Sequence, residues 1–198
     1  MSKKNRLILL SILAVLIVIV ITIGVTSAFM KPVTSGSDVT EVNLSSCAKI
    51  KLDGTNSISL SNSYPMSRNR GLQTTPYQFT VTSYCDTNVG FYLYLATLNT
   101  NTLAASNIRY IVTSRGSTTA LAEGTLSTDV SSNFTTTEKT ELNTGLGGTY
   151  GAIYQLYSNS VPTKGSSNYD LYLFVDSNAT SYQGTTFKAG VAIKSYDR

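Results

Sequence analysis

Histidine and tryptophan are absent from the 198 residues, and only two cysteines and eleven acidic residues are present. Each scarcity removes a class of function. Imidazole is the usual proton shuttle near neutral pH and the commonest metal ligand. Without it the chain cannot build a Ser-His-Asp triad, a Cys-His pair or an H-E-x-x-H zinc site. Two thiols alone cannot complete a tetrahedral zinc shell, so neither a metal nor another cofactor is expected. Basic residues are also thinner than the net charge of +4 suggests, because Lys3, Lys4 and Arg6 precede an apolar run. The rest carries 15 − 3 = 12 basic against 11 acidic side chains, with no clustered basic patch of the kind that binds nucleic acid.

Leu7 to Met30 is free of charged residues. As a helix its 24 residues would reach about 36 Å, enough to cross a hydrocarbon core of roughly 30 Å. The basic flank, residues 1–6, stays cytoplasmic under the positive-inside rule and the remainder is exported. Two readings of residues 7–30 stand side by side. The length of the apolar stretch Leu7 to Val25 favours a retained anchor in the lipid bilayer, whereas Thr26-Ser27-Ala28 offers the small residues of a cleavable signal. The product is therefore expected at the cell membrane with its C-terminal domain outside, or released to the surface or matrix.

Residues 31–43 read as a linker, with a Ser/Gly/Thr stretch from Thr34 to Thr40. From residue 44 to 198 the apolar period is two. Ala48, Ile50 and Leu52 alternate with Lys49 and Lys51; Tyr77, Phe79 and Val81 alternate with Gln78, Thr80 and Thr82. Phe91, Leu93 and Leu95 share one face, Tyr92 and Tyr94 the other. Ile108, Tyr110 and Val112, then Tyr169, Leu171, Leu173 and Val175, then Phe187, Ala189, Val191 and Ile193 continue the pattern. Such alternation, punctuated by turn clusters at Asp53-Gly54-Thr55-Asn56, Asp86-Thr87-Asn88 and Lys164-Gly165-Ser166, marks half-buried strands. Seven to nine of them predict an all-β, antiparallel β-sandwich, jelly-roll-like, behind one N-terminal helix; a closed barrel fits the period equally. Ser131 to Gly148 reads as a long excursion with one helical turn at Thr137 to Leu142.

Cys47 and Cys85 both lie in the exported part, where an even count predicts a disulfide. It would join an early strand to the end of the strand bearing Phe79 and Val81. The pair Glu138 and Glu141, three residues apart, could share one helix face as glycosidase carboxylates would, but in a Thr-rich excursion a solvated face is the simpler reading. Asp53-Gly54-Thr55-Asn56 lacks the further acids of a calcium loop. Among thirteen tyrosines, Tyr92, Tyr94 and Tyr172 fall on the presumed outer faces. Exposed, they could stack on a surface glycan or a protein; covered, they would be ordinary packing.

The apolar segment ends in Ile23-Gly24-Val25-Thr26-Ser27-Ala28-Phe29, and a Thr/Ser-rich β domain follows. Tyr64-Pro65-Met66, Gly71-Leu72 and Thr74-Thr75-Pro76-Tyr77-Gln78-Phe79-Thr80-Val81-Thr82 introduce its first long strand. Tyr172-Leu173-Phe174-Val175-Asp176 and Phe187-Lys188-Ala189-Gly190-Val191 close it. This arrangement resembles the TasA/camelysin group of Gram-positive exported surface and biofilm-matrix proteins. The resemblance implies signal cleavage between Ala28 and Phe29 and a jelly-roll subunit that self-associates into fibres by lending an N-terminal strand, here Thr34 to Leu44, to its neighbour. The protease activity reported for the group would need a zinc site that this chain cannot make. The expected function is a non-enzymatic structural or adhesive surface protein, and the second reading is a membrane-tethered module that binds a glycan or a protein.

Overall fold

Strands form where β-branched and aromatic residues alternate with Thr, Ser and Lys, because such side chains suit a pleated surface buried on one side. The computed structural model describes residues 41–43, 47–52, 58–61 and 63–196. The expected membrane or signal segment 7–30, the Ala28/Phe29 junction, residues 31–40 of the linker and the turn at 53–56 lie outside them. Among the described residues no helix is long and apolar enough to cross a membrane.

Among the described residues ten strands and two α-helices follow in order: β1 (Glu41–Asn43), β2 (Ala48–Leu52), β3 (Ile58–Ser61), α1 (Arg68–Gly71), β4 (Tyr77–Ser83), β5 (Val89–Leu98), β6 (Ile108–Ser114), β7 (Ala120–Thr125), α2 (Thr136–Leu146), β8 (Tyr150–Val161), β9 (Ser166–Val175) and β10 (Thr186–Tyr196). They make two sheets. One runs β1-β10-β5-β8, with β3 also on β10; the other runs β2-β4-β9-β6-β7. The pairs are antiparallel except β1 on β10. One edge of β10 is shared: β3 lies against Thr186–Ala189 and β1 against Val191–Ile193. Residues 41–43, expected in the linker or donor stretch, thus extend a sheet.

Between the sheets the alternating residues meet. Phe79, Phe91, Leu93, Ile108, Leu171 and Val191 are all fully buried. Tyr169 stacks on Phe79 at 5.2 Å and meets Phe91 edge-on at 6.1 Å. Burying each such ring stabilises the fold by roughly 1.5–3 kcal/mol.

Both sheets are also covered in part on their outer faces, which alternation alone does not reveal. The stretch expected as an excursion with one turn forms a three-turn helix, α2. Thr135 caps it: the Glu138 N–H donates to the Thr135 hydroxyl at 3.3 Å, and the Thr135 N–H donates back to the Glu138 carboxylate at 2.8 Å. Gly147, at φ 63°, ends it in a left-handed turn. Leu142 and Leu146, one turn apart, bury against Tyr94, Ala96, Ile153 and Ala192 on the first sheet. On the second sheet Met66 and Leu72 cover Ile111, Tyr172 and Phe174. Gly71 is buried there, and a Cβ on it would overlap the Phe174 ring.

Candidate functional site

The tyrosines expected on outer faces are on outer faces, but the structure does not bring them together. Tyr92 and Tyr94 lie on β5, beneath and beside α2, whereas Tyr172 lies on β9 in the other sheet. Tyr94 is 5% and Tyr172 7% exposed; Tyr92 is half-buried. Tyr94 meets Phe134 edge-on at 4.9 Å, and Tyr92 packs against Tyr196 at 4.5 Å. Burial, the neighbouring Tyr92 and the charge on Glu138 push the Tyr94 phenol up to about 12. Tyr172 is raised as well, first by burial and then by Asp170.

Glu138 and Glu141 share α2, yet Glu138 is committed to structure. Besides its capping role it takes an ion pair from Lys194 at 2.8 Å, and the Lys194 ammonium sits 5.4 Å from the centre of the Phe134 ring. Burial raises the Glu138 carboxyl, but the hydrogen bonds from Lys194 and Thr135 outweigh it and hold the group below the usual glutamate range. Asp170, 2% exposed, accepts the Gly116 N–H at 2.8 Å and the Gln78 amide at 3.1 Å, which ties the β6–β7 hairpin to β9 and β4. Arg68, Glu123, Arg109 and Asp176 form a string of ion pairs at 2.6, 3.9 and 3.4 Å across the outer face of the second sheet. Among the described residues no group of three or more His, Cys, Asp or Glu is gathered to hold a metal.

Cys47 and Cys85 form the expected disulfide, with Cα atoms 5.4 Å apart. It ties the start of β2 to the chain just beyond β4. The backbone prepares this: the Tyr84 N–H donates to the Cys47 carbonyl at 2.7 Å, and Ala48 pairs with Ser83.

Among the described residues, besides a cleft of about 190 Å³ beside Tyr64 and Tyr182, two places offer something to a partner. One is the edge of β10, completed at Val191–Ile193 by the three residues of β1. The other is a cleft of about 140 Å³ at the seam between the edge strands β7 and β8, with Tyr110 and Tyr154 in its walls. The sequence reading assigned Tyr110 to the core-facing set and did not find β8, so the cleft was missed. A signal was available in Gly124, which faces Tyr110 in the β6–β7 register and lacks a side chain.

No family model matches the sequence, and no curated protein matches it. Among solved structures, the chain is similar to the K3 cleaved adhesin domain of Lys-gingipain from Porphyromonas gingivalis w83, with 11% identity over 69% of this chain and 71% of that one and a TM-score of 0.25. It is also similar to the collagen adhesin of S. aureus, with 9% identity over 62% of this chain and 48% of that one and a TM-score of 0.16. Superpositions this loose carry no argument.

Proposed function

We propose that the chain is a non-enzymatic structural subunit of the cell surface, of the TasA/camelysin type, which assembles by exchanging its N-terminal strand. Strands β3 to β10 run β3-β10-β5-β8 in one sheet and β4-β9-β6-β7 in the other, an order that supports the jelly-roll subunit this reading requires. Export through residues 7–30 rests on the apolar run, the basic flank and the Cys47–Cys85 bridge, which belongs in an oxidising compartment. Cleavage after Ala28 would release the subunit to the matrix.

The observation that carries the proposal is β1. It is three residues long, precedes the disulfide, and holds the β10 edge through main-chain pairing of Glu41, Val42 and Asn43 with Val191, Ala192 and Ile193. An identical strand from a second copy can make the same bonds, because strand addition is recognised by the backbone. The domain is then either closed on itself or linked head to tail, and a head-to-tail contact that does not close on itself grows into a filament.

The test compares the exported protein recovered from cells with a chain that begins at Cys47. The exported protein is expected to form filaments visible by electron microscopy. The shortened chain should form none, and should bind a synthetic peptide of residues 34–46. Filaments of equal yield from the shortened chain, or an exported protein that stays monomeric at high concentration, would refute strand exchange.

A further inference from the structure

The cleft between β7 and β8 is built by identifiable features. Position 124 is glycine, and Tyr110, its register partner on β6, lays its ring across the gap with Oη and Cε1 each 3.3 Å from where a Cβ would stand. A side chain there would push the ring back, so Gly124 lets Tyr110 reach the seam. Opposite, β8 presents Tyr154. The segment after β7 anchors the floor: Leu126 is buried in the core, Val130 donates its N–H to the Ile153 carbonyl at 2.8 Å, and Asp129 accepts the Ile153 N–H at 3.0 Å. Thr125, Ser127, Thr128 and the Gln155 amide complete the rim, and among the described residues no charged side chain lines the space.

Tyr110 and Tyr154 are each half-buried, and neither phenol oxygen is a buried atom left without a partner. The two phenols stand in the cleft beside three further hydroxyls and an amide. Aromatic faces with neutral donors and acceptors match the alternation of C–H and O–H groups around a sugar ring. At about 30 Å³ of liquid volume per water, the cleft holds on the order of five waters, room for one ring and well below a drug-sized pocket.

The geometry points to this cleft as a binding site for one uncharged pyranose ring, a terminal or protruding residue of a neutral surface glycan, held between Tyr110 and Tyr154. The site is independent of strand exchange, because β1 and β10 take no part in it.

Saturation-transfer NMR on the full chain, in a sugar-free zwitterionic detergent, tests it with the methyl glycosides of glucose, galactose, mannose and N-acetylglucosamine. Transfer to ring protons of at least one glycoside is expected, weakened about tenfold or more in Tyr154→Ala. Ser127→Arg, an exposed change that fills the cleft without touching the core, should abolish it, and Thr119→Arg in the β6–β7 turn should not. If Tyr154→Ala loses its fold, judged by near-UV circular dichroism, Ser127→Arg alone decides. No transfer from any of the four glycosides, or transfer that survives Ser127→Arg, would overturn the assignment.

Discussion

Reducing the Cys47–Cys85 bridge should cost the domain a large part of its stability without changing its folded shape. The two cysteines are 38 positions apart, and in the chain-entropy model a loop of that length stabilises the fold by about 4 kcal/mol. The folded contacts around them do not depend on the bond. Tyr84 still donates to the Cys47 carbonyl, Lys164 to the Cys85 carbonyl at 3.3 Å, and the Cys85 N–H to the Ser83 hydroxyl at 3.2 Å. Almost the whole effect therefore falls on the unfolded chain, which gains the freedom of the open loop. For a domain of this size about 2–4 °C of melting temperature accompanies each kcal/mol, so the midpoint should fall by about 8–16 °C. Urea unfolding with and without dithiothreitol provides a second readout, since a less constrained unfolded state exposes more surface and steepens the m-value. A midpoint shift under about 3 °C, with an unchanged m-value, would refute the entropic account.

Three further outcomes are expected. Glu138 is held below its ordinary range, so its stabilising contribution is complete above the unfolded value of 4.5 and is lost as pH falls through the depressed folded one. Thermal melts on acidification should fall more steeply for the wild type than for Glu138→Gln, and parallel curves would count against the Lys194–Glu138 pair as a stabiliser. Gly71→Ala should destabilise by about 1–3 kcal/mol, because the new methyl meets the Phe174 ring in a packed layer; chemical unfolding with no loss would mean that the 63–76 segment lifts freely. Asp129→Ala removes the acceptor of the Ser131 N–H at 2.9 Å and the Ile153 N–H at 3.0 Å, uncovering part of the β8 edge. It should lower stability by about 1–3 kcal/mol and raise aggregation seen by light scattering, and a soluble, equally stable variant would argue that the edge needs no such cover.

The strands that alternate were legible, and the layers outside them were not. Phe91, Leu93 and Leu95 face the core while Tyr92 and Tyr94 face away, as period two requires. The same period made Tyr92, Tyr94 and Tyr172 look available, since it assigns a side of the sheet and says nothing of what covers that side. Tyr172 is covered by Met66 and Leu72, and Tyr92 and Tyr94 by α2, whose Thr and Glu content reads as loop until Thr135 and Glu138 are recognised as a capping box and Leu142 and Leu146 as one buried stripe. Strand β8 escaped notice because its pairing with β5 shifts between Leu93 and Tyr94 and again between Thr97 and Leu98, which breaks the alternation a sequence reader depends on. The disulfide was legible from cysteine count and export alone. The cleft was not, because it joins Tyr110 and Tyr154 from strands in different sheets.

Covering both sheets leaves the edges as the place where main chain can meet another molecule, and the described edges are not equally guarded. Along β2, Lys49 and Lys51 are exposed, and lysine on a short edge strand discourages further pairing. The β7 edge belongs to a six-residue strand whose partner register is broken between Val112 and Thr113. On β8, Asp129 and Val130 occupy the N–H and the carbonyl of Ile153. The β10 edge is different: from Thr186 to Ala189 it is held by β3, within the loop closed by the disulfide, but from Val191 to Ile193 it depends on β1, upstream of Cys47. Withdrawing β1 breaks no bond within that loop and bares an edge whose Val191 and Ile193 side chains already belong to the core. A bared edge backed by a finished core is a template for an incoming strand of matching pattern, and the strand of best match is the one supplied by another copy of the same chain. Val42→Cys with Ala192→Cys, which stand opposite each other in the β1–β10 register, should then oxidise to an intramolecular bridge in monomers and to covalent ladders in filaments. Denaturing, non-reducing gels distinguish the two. Filaments that dissolve wholly to monomers after oxidation would mean that they are held by some other surface.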